Sequence, residues 1–279
     1  MTPGPRRWGM LRPSRGRRPA GLWLVVAFVL MGVLGPVVSP YPAGQIDLDH
    51  RFALPSPLHW LGTADNGVDI LSTLLHGSRL SLIIAAASVG LSLSIGTLLG
   101  VWAGYRGGLI DHVVTGLCDL VQAFPAIVLN IGIMALSEAQ GVVHVVIALS
   151  TGGWVLFARL ARAQTLVVRE MDFVTAVRAL GGGQGRILWR HILPNLWGPL
   201  VVQASSALGM AVLAESTLSF LGLGPGRDAS WGALLEQGSA VLLRFPHVAL
   251  TAGSVIAVTV LGFNLAGDFL RDCLDPGTR

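Results

Sequence analysis

The chain has 279 residues, of which 52% are apolar and only 12% charged, and its formal net charge is +4. Soluble domains carry about 25% charged residues, so this composition excludes a water-soluble globular enzyme and points to a polytopic membrane protein whose core is shared with lipid. All 19 basic residues are arginine; a chain without lysine has no P-loop and no Schiff-base chemistry, so any ATP that drives it is bound by another subunit.

Residues 1–20 are rich in proline, glycine and arginine (Arg6, Arg7, Arg12, Arg15, Arg17 and Arg18) and predict a disordered, basic cytoplasmic tail. Residues 21–38 are the first apolar run. Basic residues precede it, as in a signal peptide. The run is long for one, however, and Pro36, Pro40 and Pro42 stand where a small-x-small cleavage site would be, so it predicts a first transmembrane helix. Residues 39–78 read as a polar, proline-containing extracytoplasmic connector.

Residues 79–273 read as a core of five further spans. The second span, 80–104, is free of charge, and Ser88, Ser92, Gly96, Gly100 and Gly104 step by four along it. Such a stripe of small residues lets another helix approach closely. The third span, 112–136, is interrupted by Asp119 and Pro125, and a tight turn at 138–141 leads to the fourth, 142–160. The fifth and sixth are 196–221 and 248–269, separated by a glycine-rich outer segment with a re-entrant or interfacial helix over 231–243. Each span has the roughly 20 residues needed to cross about 30 Å of hydrocarbon. Residues 274–279 are a short tail.

A polar loop, 161–195, interrupts this pattern. Phe173, Ala176, Val177 and Leu180 fall at i, i+3, i+4 and i+7, one apolar face of a short helix, with Asp172, Thr175 and Arg178 off that face. Gly181, Gly182 and Gly183 break it. A second short helix, 186–193, is expected to stop at Pro194, which has no N–H to donate. The chain thus presents two small glycine-hinged helices to an aqueous partner.

This loop resembles the cytoplasmic "EAA" loop of ABC-importer permeases, in which a coupling helix docks into a groove on an ATPase subunit. Ala176, Gly181, Leu193 and Pro194 match the family pattern, whereas Thr175 stands at the family Glu, Val177 at its second Ala and His191 at its Ile. Other segments extend the resemblance toward the dipeptide/oligopeptide/nickel permeases, specifically the shorter of their two permease subunits. Leu61-Gly62-Thr63 with Asp65, Gly67, Asp69 and Leu71 is similar to an LGTDxxGRDxLS segment; Asp119 with Phe124-Pro125 to a third-span motif; residues 215–224 to EASLSFLGLG; Ser230-Trp231-Gly232 to SWG; and Asn264, Gly267-Asp268, Leu270-Arg271-Asp272 and Leu274-Asp275-Pro276 to an NLLGDxLRDxLDP ending. The resemblance covers residues 60–276. It implies an all-α permease fold of type I with six transmembrane helices and cytoplasmic coupling helices. It also implies a second homologous permease, two cytoplasmic ABC ATPases and an extracytoplasmic solute-binding protein as partners.

The acids within spans need a partner or a cavity, because an ionised carboxylate there costs at least about 2.5 kcal/mol. Glu215 either faces the translocation cavity or ties two helices together. Asp119 and Asp268 lie nearer the cytoplasmic ends and suit structural roles, Asp268 with Arg271. With both termini inside, fifteen arginines face the cytoplasm and four (Arg51, Arg79, Arg227, Arg244) lie outside. The positive-inside rule therefore places the loop in the cytoplasm, and the resemblance implies a bacterial inner-membrane protein.

Nucleic-acid binding is not expected, since the arginines flank apolar runs. Cys118 and Cys273 stand far apart, with no CxxC or Cys/His cluster, so no disulfide framework and no metal site are expected; no cofactor is expected either. HExxH and GxSxG motifs are absent, which argues against an enzyme. The reading is a permease subunit forming half of a pathway for short peptides. Nickel or nickel-chelate import by the same architecture, or a self-contained secondary transporter, are the alternatives.

Overall fold

The computed structural model describes residues 19–137, 141–226 and 230–274. The arginine-rich tail over 1–18, the turn at 138–140, Arg227, and the ending with Asp275, Pro276 and Arg279 lie outside the described residues. Ten helices follow in order: α1 (Ala20–Val38), α2 (Ile70–Arg106), α3 (Gly108–Gln122), α4 (Ala126–Ala135), α5 (Val142–Val168), α6 (Asp172–Ala179), α7 (Gln184–Ile187), α8 (Leu193–Phe220), α9 (Trp231–Ala240) and α10 (Pro246–Leu274). Among the described residues there are no strands, only an isolated bridge between Thr63 and Asp69. Among the described residues five helical segments are long and apolar enough to span a membrane, or six where the bent pair α3–α4 counts as one span. This is an all-α, polytopic membrane architecture.

Several spans outrun their apolar runs. Helix α2 begins at Ile70, ten residues before the charge-free stretch, because Asp69 accepts a hydrogen bond from the Ser72 N–H at 2.7 Å and caps it there. The third span is not one helix. Pro125 cannot continue the hydrogen-bond ladder, and α3 and α4 meet at 84°. The helix expected over 231–243 is the shorter α9, Trp231–Ala240, and its Trp231 is fully buried. Its ring packs edge-on against Phe28 of α1, which in turn packs edge-on against Phe263 of α10. Trp231 Nε1 donates to the Leu74 carbonyl of α2 at 2.9 Å. One indole therefore joins α9 to α1 and α2 directly, and to α10 through Phe28.

The stripe on α2 is covered by α5 of the same chain. A Cβ on Gly96 would fall on the Trp154 carbonyl, one on Gly100 on the Ala158 carbonyl, and one on Gly104 within 2.8 Å of the Arg162 carbonyl. Trp154, Ala158 and Arg162 themselves step by four, so the two backbones run in contact over two turns. Ser150 Oγ donates to the Ser88 carbonyl at 3.3 Å in the same seam. The long helix pair α2–α5 is thus the rigid centre. Helices α1, α8 and α10 pack around its other side, and α3 is tied to α5 by charge. Arg162 holds Asp111 in a two-point contact, Nη2 to Oδ2 at 2.6 Å, and Arg159 Nη2 meets Asp119 at 2.5 Å.

Candidate functional site: the glycine-hinged loop and its supports

The loop begins where α5 ends. Arg169 Nη1 donates to the Gly104 carbonyl at 2.7 Å, which fixes the exit of α5 against the end of α2. Helix α6 then runs to Ala179 and stops in a left-handed turn at Gly181, whose φ is 78°. The Gly182 N–H returns to the Val177 carbonyl at 2.9 Å and the Gly181 N–H to the Arg178 carbonyl at 3.1 Å. This paired 6→1 and 5→2 closure is a Schellman cap, which needs a residue that tolerates positive φ. The three glycines differ in role. Gly181 supplies the conformation and has open space where a Cβ would be; a Cβ on Gly182 would lie 2.6 Å from Val177 Cγ1; Gly183 has φ −64° and open space.

Burial divides the loop into an anchoring face and an outward face. Val174, Ile187 and Ile192 are fully buried in the core that also holds Val168, Leu196 and Leu200. Phe173, Ala176 and Leu180 are exposed, Leu180 at 88%, and so is Trp189 at 64%. The expected apolar face is therefore split. Val177 is half-buried beside Val174, while Phe173, Ala176 and Leu180 form an apolar strip facing away from the protein. Asp172, Thr175 and Arg178 are exposed beside it. Periodicity detected the apolar residues but not that Val174, one position off, is the anchor.

The second half of the loop differs from the expected short helix. It does not stop at Pro194. Helix α7 passes into a π turn over Leu188–Ile192 and directly into α8, with Pro194 in the first turn of α8. The Leu193 N–H bonds to the Leu188 carbonyl, five residues back. That shift in register makes room for a proline ring that an unbroken α-helix would exclude. The Asn195 side chain donates to the His191 carbonyl at 2.6 Å, and the His191 ring lies 6.3 Å from Phe173, linking the π turn to α6. Helix α7, the π turn and the transmembrane helix α8 therefore form one continuous helical run, with the glycine break only between α6 and α7. An apolar groove of about 270 Å³, lined by Thr97, Val101, Trp102, Leu188, Trp189 and Leu193, separates this turn from α2.

At the other end of α8, Glu215 is fully buried. Ser81 of α2 donates to its Oε2 at 2.8 Å, and Ser219 and Ser230 donate to Oε1 at 2.8 and 3.3 Å. These bonds join α2, α8 and the residue before α9 at one carboxylate. The neighbouring motif residues serve the same junction. Gly222, φ 76°, ends α8 in a second Schellman cap, with Leu223 N–H on the Leu218 carbonyl at 2.9 Å. A Cβ on Gly232 would fall on the Ser216 carbonyl. Asn264 and Asp268 are exposed on α10, and Asp268 makes no ion pair with Arg271 among the described residues. The connector has charge pairs of its own: a hydrogen bond from His50 holds the Asp47 carboxyl below the usual carboxylate range.

Residues 96–279 match the family model described as "Binding-protein-dependent transport system inner membrane component". The chain is 39% identical over 259 residues to a glutathione transport system permease protein of Pectobacterium atrosepticum, covering 92% of this chain and 85% of that one. It is 37% identical to a dipeptide transport system permease protein of Alkalihalophilus pseudofirmus, with 92% and 84% covered. To an oligopeptide transport system permease protein of Bacillus subtilis it is 35% identical, with 93% and 85% covered. Among solved structures, an inward-facing MetNI methionine ABC transporter aligns with a TM-score of 0.60 at 18% identity, over 73% of this chain and 96% of that one, and so shares the fold. This helical membrane bundle, matched over most of its length by such relatives, belongs to the family of binding-protein-dependent transport system inner-membrane components.

Proposed function

We propose that this chain forms half of the translocation pathway of an ATP-driven importer of short peptides, with a second homologous permease forming the other half. The observation that carries the reading is the outward apolar strip of Phe173, Ala176 and Leu180 on a helix anchored from behind by Val174. A membrane bundle has no use for such a strip in water unless a partner covers it. Two cytoplasmic ATPases supply the partner surfaces, and an extracytoplasmic binding protein delivers the peptide. ATP-driven closure of the ATPases moves α6 and α7, and the continuous π turn carries that motion into α8. The fifteen-to-four arginine distribution supports a cytoplasmic loop with both termini inside. Three of the relatives are named for glutathione, dipeptide and oligopeptide transport, which favours a short peptide as cargo.

The test is uptake of a labelled di- or tripeptide into proteoliposomes holding this chain, its second permease, the ATPases and the binding protein. Uptake that requires ATP, the ATPases and the binding protein is expected. Equal uptake by this chain alone, driven by an ion gradient, would overturn the reading in favour of a secondary transporter.

A further inference from the structure

The segment between α1 and α2 gathers metal-ligating side chains that the transport reading does not use. Asp47 precedes a 3₁₀ turn, Leu48–His50, that ends on His50, and His50 Nδ1 lies 2.8 Å from Asp47 Oδ2. His59 approaches from a second turn, with its ring centroid 5.6 Å from that of His50. One potential ligand atom from each of Asp47, His50 and His59 lies within 4.8 Å of the other two.

His59 is already arranged as a ligand. It is buried, Tyr41 stacks on its ring at 5.0 Å, and its Nδ1 bonds Asp69 Oδ2 at 2.9 Å. An imidazole whose Nδ1–H is held by a carboxylate presents the Nε2 lone pair, and metal-bound histidines are held in this way. Asp69 is itself fixed, since its other oxygen caps α2. The Asp47 backbone is held too. Its N–H donates to the Asn66 carbonyl at 3.0 Å, and a Cβ on Gly67 (φ 70°) would fall on the Asp47 carbonyl. Arg51 pairs with Asp65 across the same two turns at 2.7 Å. Ligands on a tetrahedral zinc lie about 3.3 Å apart, so modest rotation of the half-exposed Asp47 and His50 side chains brings the set to bonding distance.

We propose that Asp47, His50 and His59 hold one divalent transition-metal ion of the class that imidazole and carboxylate share, with Asp69 as the group that orients His59 and one coordination position left to water. Oxygen-preferring ions such as magnesium are disfavoured by two nitrogen ligands. The ion clips the 47–50 turn to the 59–69 segment and hence to the first turn of α2, at the end of that helix remote from the loop. No linear cysteine–histidine motif announces the site, because two turns assemble it.

The experiment uses the full chain, purified without a polyhistidine tag, stripped with chelator and placed in lipid nanodiscs. Zn²⁺ and Mg²⁺ binding are measured by equilibrium dialysis with elemental analysis, and Co²⁺ is added as an absorption probe. The expected result is one equivalent of Zn²⁺, no comparable Mg²⁺, and a Co²⁺ spectrum of nitrogen–oxygen ligation. His50→Ala and Asp47→Asn each weaken Zn²⁺ binding at least about tenfold, since a direct ligand matters no less than its support, and Asp69→Asn weakens it about 10–100-fold. His76→Gln leaves binding unchanged. Absence of stoichiometric Zn²⁺ at micromolar concentration, or wild-type affinity in His50→Ala and Asp47→Asn, overturns the assignment. The exposed position of His50 keeps the test independent of folding, which replacement of the buried His59 would not.

Discussion

Gly100→Leu puts bulk into the close backbone contact between α2 and α5. A Cβ at this position would fall on the Ala158 carbonyl oxygen, with the Ala158 carbonyl carbon and Ala161 Cβ both at 2.9 Å. Two of these three atoms are backbone, so no rotamer change relieves the overlap and the helices must separate. Overpacking of this kind costs about 1–3 kcal/mol, occasionally more. Gly96→Leu meets Phe157 Cβ at 2.7 Å and the Ala158 N at 2.9 Å, so the two substitutions strain the same stretch of α5 and their costs are not additive. The control lies on the same helix: a Cβ on Gly90 meets nothing within 4 Å. Gly90→Leu should be neutral or slightly stabilising, because glycine is about 0.8–1.0 kcal/mol worse than alanine in a helix interior. The assay is reversible unfolding in mixed micelles, read by Trp fluorescence, together with disulfide trapping of cysteines placed across α2 and α5. Gly100→Leu should lose stability and trapping where Gly90→Leu keeps both. Equal stability of the two variants would refute the packing argument. The contact is internal to this chain, so folding is the quantity to measure here, ahead of subunit assembly.

Gly181→Val should leave membrane insertion intact, since the site is open, but force a branched residue to φ 78° at a cost of about 1–2 kcal/mol. Peptide uptake and ATPase co-purification should fall together, whereas Gly183→Ala, at φ −64° with open space, should match wild type in both. Glu215→Ala strands three serine hydroxyls in a buried junction, at about 1–3 kcal/mol for each left unsatisfied. Glu215→Gln keeps one oxygen acceptor and should cost less in the same unfolding assay. For topology, a reporter fused after Leu136 should read outside and one at Gly183 inside; the reverse pattern at Gly183 would overturn the orientation.

What the sequence made legible follows from which forces act locally. Lipid-facing helices declare themselves by composition, and the four-residue stripe of Gly96, Gly100 and Gly104 declares a close contact without revealing that α5 fills it. The start of α2 was hidden because Asp69 nucleates a helix through polar residues that no hydropathy window favours. Pro194 reads as a stop in any local rule; only the π turn before it, a departure from α register, lets the chain continue. Gly181 was legible because a helix end followed by glycine has one common solution. Val174 was not, since the direction a short helix faces is decided by the core beneath it. Glu215 could be recognised as costly but not assigned, because Ser81, 134 positions away, is one of the groups that satisfy it.

The central claim is that the strip of Phe173, Ala176 and Leu180 is where ATP hydrolysis enters this subunit. The most direct measurement places a charge there. Ala176→Arg, on an exposed position that carries no core packing, is assembled with the partner subunits in proteoliposomes, and ATPase retention and ATP-driven peptide uptake are followed at matched membrane level. The account predicts loss of both, with the variant still inserted and folded. Wild-type uptake and ATPase retention in Ala176→Arg would contradict it.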